Sequence, residues 1–273
     1  LVHLVGADPQ FNLDWIKQEK EFFNLADSND LAYAYKHKPP SENCSKLLNA
    51  AFSVQFFLEE NIIRLLSKYA KKGCNLCFSG GVALNSKLNQ RLLQEGYKLF
   101  IPPSPTDAGS AIGAISFKPI NRKSNESKGF NPYISYEINE NEVNFVIEKA
   151  KVVGYKIQKI NDVDSYLTSA AAEISSNKVI AWCHGKAEWG PRALGTRSIL
   201  ANPKSTKMKS IINEKVKFRE PYRPFAPSVT NGKVQEYFDI PSEIETSSPY
   251  SYMLATCYVR ENYRNLLGAV THI

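Results

Sequence analysis

Apolar residues recur along the chain at intervals that predict alternating helices and strands. From Ser41, a residue able to cap a helix, they follow at helical spacing as far as Gly73, which is suited to end one. The pattern then predicts strand 75–79, helix 83–93, strand 97–101 and a helix of small residues over 108–117. This order is typical of an α/β layer fold.

The pattern changes in the middle of the chain. Residues 118–140 are polar and rich in Pro, Gly, Ser and Asn, which predicts a linker between domains 1–117 and 141–273. Beyond the linker the predicted elements are helix 143–149, strand 155–160, helix 164–175, strand 179–183, helix 204–216, strand 250–259 and a final apolar strand over 266–273.

Composition predicts a globular protein. The 273 residues are 43% hydrophobic and 22% charged, and no apolar stretch approaches the roughly 20 residues of a membrane helix. The chain begins with Leu and ends in an apolar run, so we expect it to be part of a longer protein. Five cysteines, an odd number, favour a reducing cytoplasm over a disulfide framework. Cys74 and Cys77 form one C-x-x-C pair, which favours core thiols because zinc needs four ligands.

Positive charge is concentrated in one segment. Residues 182–223 hold ten Lys or Arg against three Glu, a net charge of +7 that equals that of the whole chain. Gly and Pro separate these cations, which favours a pocket for phosphate oxygens over a solvated charge run. Interleaved aromatic residues leave nucleic-acid binding as an alternative, although the Gly and Pro constraints make it the weaker one.

Four cations of this segment are the candidate phosphate ligands, because a guanidinium grips two oxygens and an ammonium supplies a compact charge. Arg192 lies within GPRALG, whereas Lys217, Arg219 and Arg223 follow in KFREPYRP. Lys217 and Arg219 are two residues apart, so on an extended segment they converge on one face. The three lysines of 204–209 are expected to face solvent, and His184 to line the pocket without binding metal.

Two further motifs fall at strand-to-helix turns. In SGGVALNSKLN (79–89), the glycines and Asn85 either bring backbone N–H groups to a phosphate or serve a plain turn, and the sequence leaves both open. In PTDAGSAIGA (105–114), Asp107 is either a helix N-cap, which the pattern favours, or a metal ligand.

These motifs together resemble the NodU/CmcH/TobZ family of O-carbamoyltransferases. The matching pieces are SGGVALNSKLN, DAGSAIGA, GKAEWGPRALGTRSILANP and NEKVKFREPYRPFAPSV, with SPYSYM and AVTHI further on. They occur in the family's order over most of residues 42–273. The GPRALG and RPFAPSV pair makes the resemblance specific.

The resemblance implies a fold and an activity. The first domain is expected to be the second half of an actin-like, sugar-kinase-like ATPase domain, and the second a YrdC-like α/β domain. Such proteins use ATP and carbamoyl phosphate to make a carbamoyl-adenylate, with pyrophosphate released. They then carbamoylate a hydroxyl of a small acceptor such as a sugar, an antibiotic or a nodulation-factor-like molecule. A homodimer is compatible with the resemblance, whereas membrane and nucleic-acid partners are not expected.

The resemblance also assigns roles to residues. Arg192, Lys217, Arg219 and Arg223 are expected to act on carbamoyl phosphate and ATP, with phosphate contacts from Arg197 and Ser198. The nucleotide-facing turn is assigned to Gly80, Gly81 and Asn85, and a divalent metal, Mg or Fe, to Asp107.

Departures from the family pattern limit these expectations. The family's paired metal-binding histidines have no counterpart, since His3 and His37 lack their spacing, and the sequence that follows VTHxD is missing. Thr196 stands where Asn is more usual. A related RNA-binding or tRNA-modifying protein, or a non-catalytic nucleotide-binding remnant, remains as an alternative.

Overall fold

A computed structural model describes residues 44–116, 131–241 and 249–272. The helices are α1 Cys44–Tyr69, α2 Ser86–Gln94, α3 Ser110–Ser116, α4 Glu140–Val153, α5 Val163–Ser175, α6 Thr206–Ser210 and α7 Val234–Tyr237. The strands are β1 Asn75–Cys77, β2 Lys98–Phe100, β3 Ile180–Cys183, β4 Arg197–Leu200, β5 Phe238–Asp239 and β6 Tyr258–Val259. Ser41, His3 and His37 lie outside the described residues.

The first part of the chain contains a β–α–β unit. Strands β1 and β2 pair in parallel, with Leu76 opposite Leu99, and α2 makes the connection between them. A 3₁₀ turn, Gly81–Leu84, precedes α2, and Asn85 caps the helix by accepting a hydrogen bond from the Leu88 amide at 3.0 Å. Apolar residues of α2, including the fully buried Leu88 and Leu92, then face the two strands.

A β-hairpin carries the first part of the basic segment. Strands β3 and β4 pair antiparallel from Ile180 opposite Leu200 to Cys183 opposite Arg197. Helix α5 precedes this hairpin, and the ring of Tyr166 stacks on Trp182 with centroids 5.2 Å apart. Residues 184–196 connect the two strands and are called the motif loop below. The hairpin therefore holds both ends of the motif loop.

The largest core joins sequence-distant parts of the chain. Tyr252 and Leu254, from the turn at Pro249–Tyr252 and just beyond it, are buried with Leu88, Leu92 and other residues of the β–α–β unit. The fully buried Asn89 donates from Nδ2 to the carbonyl oxygens of Ala83 (2.8 Å) and Leu254 (2.6 Å). The 252–254 segment is thus fixed to α2 by apolar and polar contacts together.

The mixed helix and strand content confirms the α/β class at that coarse level. The actin-like and YrdC-like arrangement, and the domain limits 1–117 and 141–273, stay predictions. The predicted strands at 75–79, 97–101 and 179–183 are found, each shortened at one end or both. Helix 143–149 extends to Glu140–Val153, because Asn139 and Glu142 form a capping box.

Several predicted elements are wrong. Residues 155–160 form no strand, because none of the strands among the described residues pairs with them. Predicted strand 250–259 is a 3₁₀ turn followed by the two-residue β6, and residues 266–270 form turns. By contrast, the predicted helix 204–216 is found from Thr206 to Val216, as α6 followed by a π-helical turn, Ile211–Val216.

Candidate functional site

Three of the predicted motifs meet at one place. The Gly80 amide donates to the carbonyl oxygen of Pro105 at 2.6 Å, and the Ser79 hydroxyl donates to the same oxygen at 3.1 Å. Backbone of the same 103–109 segment lies against Trp189 and Gly190 of the motif loop. The glycine turn, the Pro-rich turn and the motif loop therefore form one junction.

Two glycines make the close approach at this junction feasible. A Cβ added to Gly190 would lie 2.6 Å from the Pro103 carbonyl oxygen, and its φ of +125° is unfavourable for other residues. A Cβ added to Gly109 would overlap the Ser104 carbonyl oxygen and would lie 3.6 Å from the ring of Trp189. The backbones of the motif loop and the 103–109 segment therefore approach closely because Gly190 has no side chain, whereas Gly109 lets the 103–109 segment fold back on itself beside Trp189.

Glu188 organises the motif loop from inside. Its Oε1 accepts hydrogen bonds from the amides of Thr196 (2.7 Å), Leu194 (2.8 Å) and Arg197 (3.2 Å). Burial by itself would raise the pKa of Glu188, but hydrogen bonds from Thr196 and Leu194 outweigh it and lower the pKa to about 2. The carboxylate is therefore charged at neutral pH and fixes the loop around it.

Arg197 and Ser198 also bind the backbone of the motif loop. The guanidinium of Arg197 donates to the carbonyl oxygens of His184 and Gly185, both at 3.0 Å, and to that of Thr196 at 2.9 Å. Ser198 Oγ accepts from the Gly195 amide at 3.1 Å. In this structure both predicted phosphate ligands thus support the loop, and their phosphate contact stays a prediction.

The side chain of Arg192, unlike that of Arg197, has a buried nitrogen without a described hydrogen-bond partner. It is half-buried, and within the described part of the chain its buried Nε has no hydrogen-bond partner. A buried guanidinium N–H without an acceptor is costly, and an anionic oxygen is a ligand that would satisfy it. The predicted phosphate-binding role of Arg192 therefore fits its surroundings.

The other predicted cations lie on residues 217–225, called the arginine turn below. Arg219 is half-buried, with its guanidinium carbon 4.9 Å from the centre of the Phe225 ring. Burial and then repulsion from Arg223 lower the pKa of Arg219. Arg223 pairs with Glu220, Nε to Oε2 at 3.0 Å, and Lys217 is exposed.

The expected convergence of Lys217 and Arg219 on an extended segment is wrong. Lys217 has helical dihedrals at the end of the π-helical turn, and Phe218 is left-handed with φ +48°. The Arg219 amide then bonds back to the Asn213 carbonyl oxygen at 2.9 Å. The chain reverses at Phe218, so spacing by two does not place the side chains on one face.

The predicted nucleotide turn is largely engaged in internal bonds. Asn85 Nδ2 donates to Gln55 Oε1 at 2.8 Å, and Asn85 Oδ1 caps α2. Gly80 has φ +99°, so the turn requires glycine for its backbone. Gly81 is exposed at the start of the 3₁₀ turn. Contact of Gly80, Gly81 and Asn85 with a nucleotide stays a prediction.

Asp107 is exposed and opens a 3₁₀ turn, Asp107–Gly109, whose N-cap is Thr106. Its predicted N-cap role is therefore wrong by one residue. Among the described residues no group of three or more His, Cys, Asp or Glu is arranged to hold a metal. Asp107 is thus a single carboxylate, and Mg²⁺ commonly takes one or two carboxylates together with substrate phosphates, so the expected divalent metal, Mg or Fe, stays a prediction.

Sequence reasoning missed a further supporting segment. Residues 131–137 lie beside the motif loop: Ser135 donates to the Ala187 carbonyl oxygen at 3.1 Å, and Ala187 donates to that of Tyr136 at 2.8 Å. Tyr133 Oη donates to the Leu194 carbonyl oxygen at 2.9 Å. The alternation in YISYEI is a strand signal that could have found this pairing.

Two family models match the chain, the carbamoyltransferase N-terminus over residues 10–116 and the carbamoyltransferase C-terminus over residues 171–273. The chain belongs to the NodU-type carbamoyltransferase family.

Relatives in bacteria share this similarity. The chain is 36% identical over 250 residues to an uncharacterized protein, sll1178, of Synechocystis sp., covering 86% of this chain and 38% of that protein. It is 35% identical over 227 residues to nodulation protein NolNO of Sinorhizobium fredii, covering 81% and 32% respectively. It is 31% identical over 231 residues to nodulation protein U of the same species, covering 83% and 38%. The chain thus spans about a third to two fifths of the length of these relatives.

None of the helices among the described residues is long and apolar enough to span a bilayer.

Proposed function

We propose that this protein takes part in ATP-dependent transfer of the carbamoyl group of carbamoyl phosphate to a hydroxyl of a small acceptor. The observation that carries the proposal is the buried Nε of Arg192, which lacks a partner among the described residues and lies within the match to the carbamoyltransferase C-terminus. The nodulation proteins among the relatives make a nodulation-factor-like molecule one candidate acceptor, beside a sugar or an antibiotic.

The reaction balances with one water molecule. Water cleaves carbamoyl phosphate to carbamate and phosphate, and a carbamate oxygen attacks the α-phosphorus of ATP as the bond to pyrophosphate breaks. The product is carbamoyl-AMP. The acceptor hydroxyl then attacks the carbamoyl carbon, loses its proton, and releases AMP.

The chain's part in the first stage is to position anions. Arg192, Lys217, Arg219 and Arg223 would hold phosphate oxygens and stabilise the charge that develops on the departing pyrophosphate. The motif loop is suited to this task because Glu188 and Arg197 fix its backbone by hydrogen bonds. Positions fixed before the reaction require less reorganisation during it.

Arg192→Ala tests this function. The protein is incubated with ATP and carbamoyl phosphate, and pyrophosphate and carbamoyl-AMP are measured by mass spectrometry. Removing one fixed cation should lower the rate about 100-fold or more, because that charge is then uncompensated in the transition state. Lys207→Ala is the matched control, since Lys207 is an exposed cation of α6 and should leave the rate unchanged.

Two results would overturn the proposal. One is the absence of carbamoyl-AMP together with no binding of ATP or carbamoyl phosphate in titration calorimetry. The other is carbamoyl-AMP formed at the same rate by the Arg192→Ala variant and the unaltered protein.

A further inference from the structure

Asn213 is a fully buried polar residue at the base of the arginine turn. It lies in the π-helical turn Ile211–Val216, directly after Ile212, which is also buried. A buried carboxamide is costly unless its donors and acceptor are all used. Its hydrogen bonds therefore show what it stabilises.

Every hydrogen bond described for the Asn213 side chain goes to the arginine turn. Its Nδ2 donates to the carbonyl oxygens of Pro221 at 3.2 Å and Arg223 at 3.0 Å. Its Oδ1 accepts from Arg219 Nε at 2.7 Å. One carboxamide thus binds residues 219, 221 and 223 of the arginine turn, the part that carries two of the predicted phosphate ligands, Arg219 and Arg223.

These contacts restrict the guanidinium of Arg219. Nε is held by Asn213, and one face lies over the Phe225 ring at 4.9 Å. The Arg219 amide is also tied to the Asn213 carbonyl oxygen, which closes the reversal at Phe218. Because a guanidinium is planar, fixing Nε and one face sets the direction of its two Nη groups.

We propose that Asn213 is a positioning residue for anion binding, one that orients Arg219 and holds the backbone at Arg223 so that both cations approach the same phosphorylated substrate. This inference rests on the proposed function for the identity of that substrate. The contacts themselves stand independently of it. An amide is required because the site needs two N–H donors and one oxygen acceptor in a single side chain.

Asn213→Asp separates the role of the two N–H donors of this side chain from that of its oxygen acceptor. It keeps an acceptor for Arg219 but places an oxygen against the carbonyl oxygens of Pro221 and Arg223, so the turn should open. We expect KM for carbamoyl phosphate to rise about 10- to 100-fold, with a smaller change in kcat, because small displacements of binding groups carry costs of this order. Asn202→Asp is the matched control, because Asn202 pairs with Asn177 near the chain surface and should leave KM unchanged.

A second measurement does not depend on activity. The Nε–H signal of Arg219, followed by ¹⁵N NMR, should exchange slowly with water in the unaltered protein and faster after Asn213→Ser. If the unaltered protein makes no carbamoyl-AMP and binds neither ATP nor carbamoyl phosphate, the proposed function fails, whereas this exchange still tests the positioning role. Should Asn213→Asp not fold, Asn213→Ser is compared in the unaltered protein and in an Arg219→Lys background. Positioning through Arg219 predicts a smaller rise in KM in that background, where only the backbone contacts at Pro221 and Arg223 are left to lose.

The inference is overturned if a folded Asn213→Asp variant keeps the KM of the unaltered protein. It is equally overturned if Asn213→Ser leaves the exchange of Arg219 Nε–H unchanged.

Discussion

At the residue scale, an acidic side chain shapes the most basic part of the chain. Glu188 is one of three glutamates among ten cations in residues 182–223, yet its Oε1 accepts backbone amides instead of pairing with an arginine in the described contacts. The backbone of the motif loop therefore depends on a carboxylate, and its cations remain available for other partners. From composition alone, Glu188 would be expected to weaken anion binding at this site by its negative charge.

Stability should depend on the ionisation of Glu188. Its pKa in the folded protein is about 2, below the ordinary value of 4.5, so ionisation stabilises the fold above pH 4.5. That contribution should be lost as the pH falls from about 4.5 to 2. Glu188→Gln removes the titrating group, so its stability should change less over this window than that of the unaltered protein.

Urea unfolding at several pH values measures this difference. Glu188→Ala should lower the free energy of unfolding at pH 7 by about 1–3 kcal/mol, because it leaves three part-buried amides without their acceptor. Parallel pH profiles for the Gln variant and the unaltered protein would contradict the assignment. Glu148→Gln is the control, since its ion pair with Lys151 is exposed.

At the element scale, turns bring the motifs together. The 79–81 turn, the 103–109 turn and the motif loop meet through backbone contacts, in which glycines allow approach closer than any side chain would permit. Strands β1 to β4 are only three or four residues long, so they fix the ends of these turns and little more. The candidate functional residues of this junction therefore lie in loops between strands.

Gly190→Ala tests this junction. The new Cβ would lie 2.6 Å from the Pro103 carbonyl oxygen, at a φ of +125° that alanine rarely adopts, so the junction must open. We expect a loss of about 1–3 kcal/mol or more in the free energy of unfolding, the usual cost of such strain. Gly113→Ala is the control, because its Cβ meets nothing within 4 Å. Equal unfolding midpoints for the two variants would contradict the proposed close approach.

At the scale of the whole molecule, the parts matched by the two family models share a core. Leu254 and Tyr252 belong to the C-terminal match and are buried with Leu88 and Leu92 of the N-terminal match. Leu194 of the motif loop packs against the same cluster. The site is therefore supported by a core that neither part completes by itself.

Leu254→Ala should weaken both parts at once. Truncating a fully buried leucine costs about 2–5 kcal/mol. The truncation removes packing from α2 and from the core cluster that Leu194 of the motif loop packs against. Hydrogen exchange followed by mass spectrometry should show faster exchange in α2 as well as around residue 254. Val152→Ala is the control, because Val152 is 87% exposed. Faster exchange confined to residues 249–256 would mean that the core is not shared.

Local signals explain which predictions held. Strands 75–77 and 180–183 were predictable from apolar runs, and α2 from its helical spacing before Gly96. Residues 155–160 carry a similar strand pattern but have no pairing strand among the described residues, and Tyr155 is 69% exposed there. A strand depends on a neighbour that its own sequence does not specify.

The candidate site shows the same difference between what the local sequence specifies and what a distant partner decides. The sequence by itself determined the chemistry: which residues are cationic, where Gly and Pro constrain them, and which family their order matches. Only the tertiary structure decided which cations are engaged, because Arg197 binds backbone carbonyls while the buried Nε of Arg192 has no acceptor among the described residues. It also revealed Glu188 and Asn213, whose roles depend on which backbone groups fold against them. Hydrogen bonding is short-ranged and directional, so those partners are fixed only when distant segments meet.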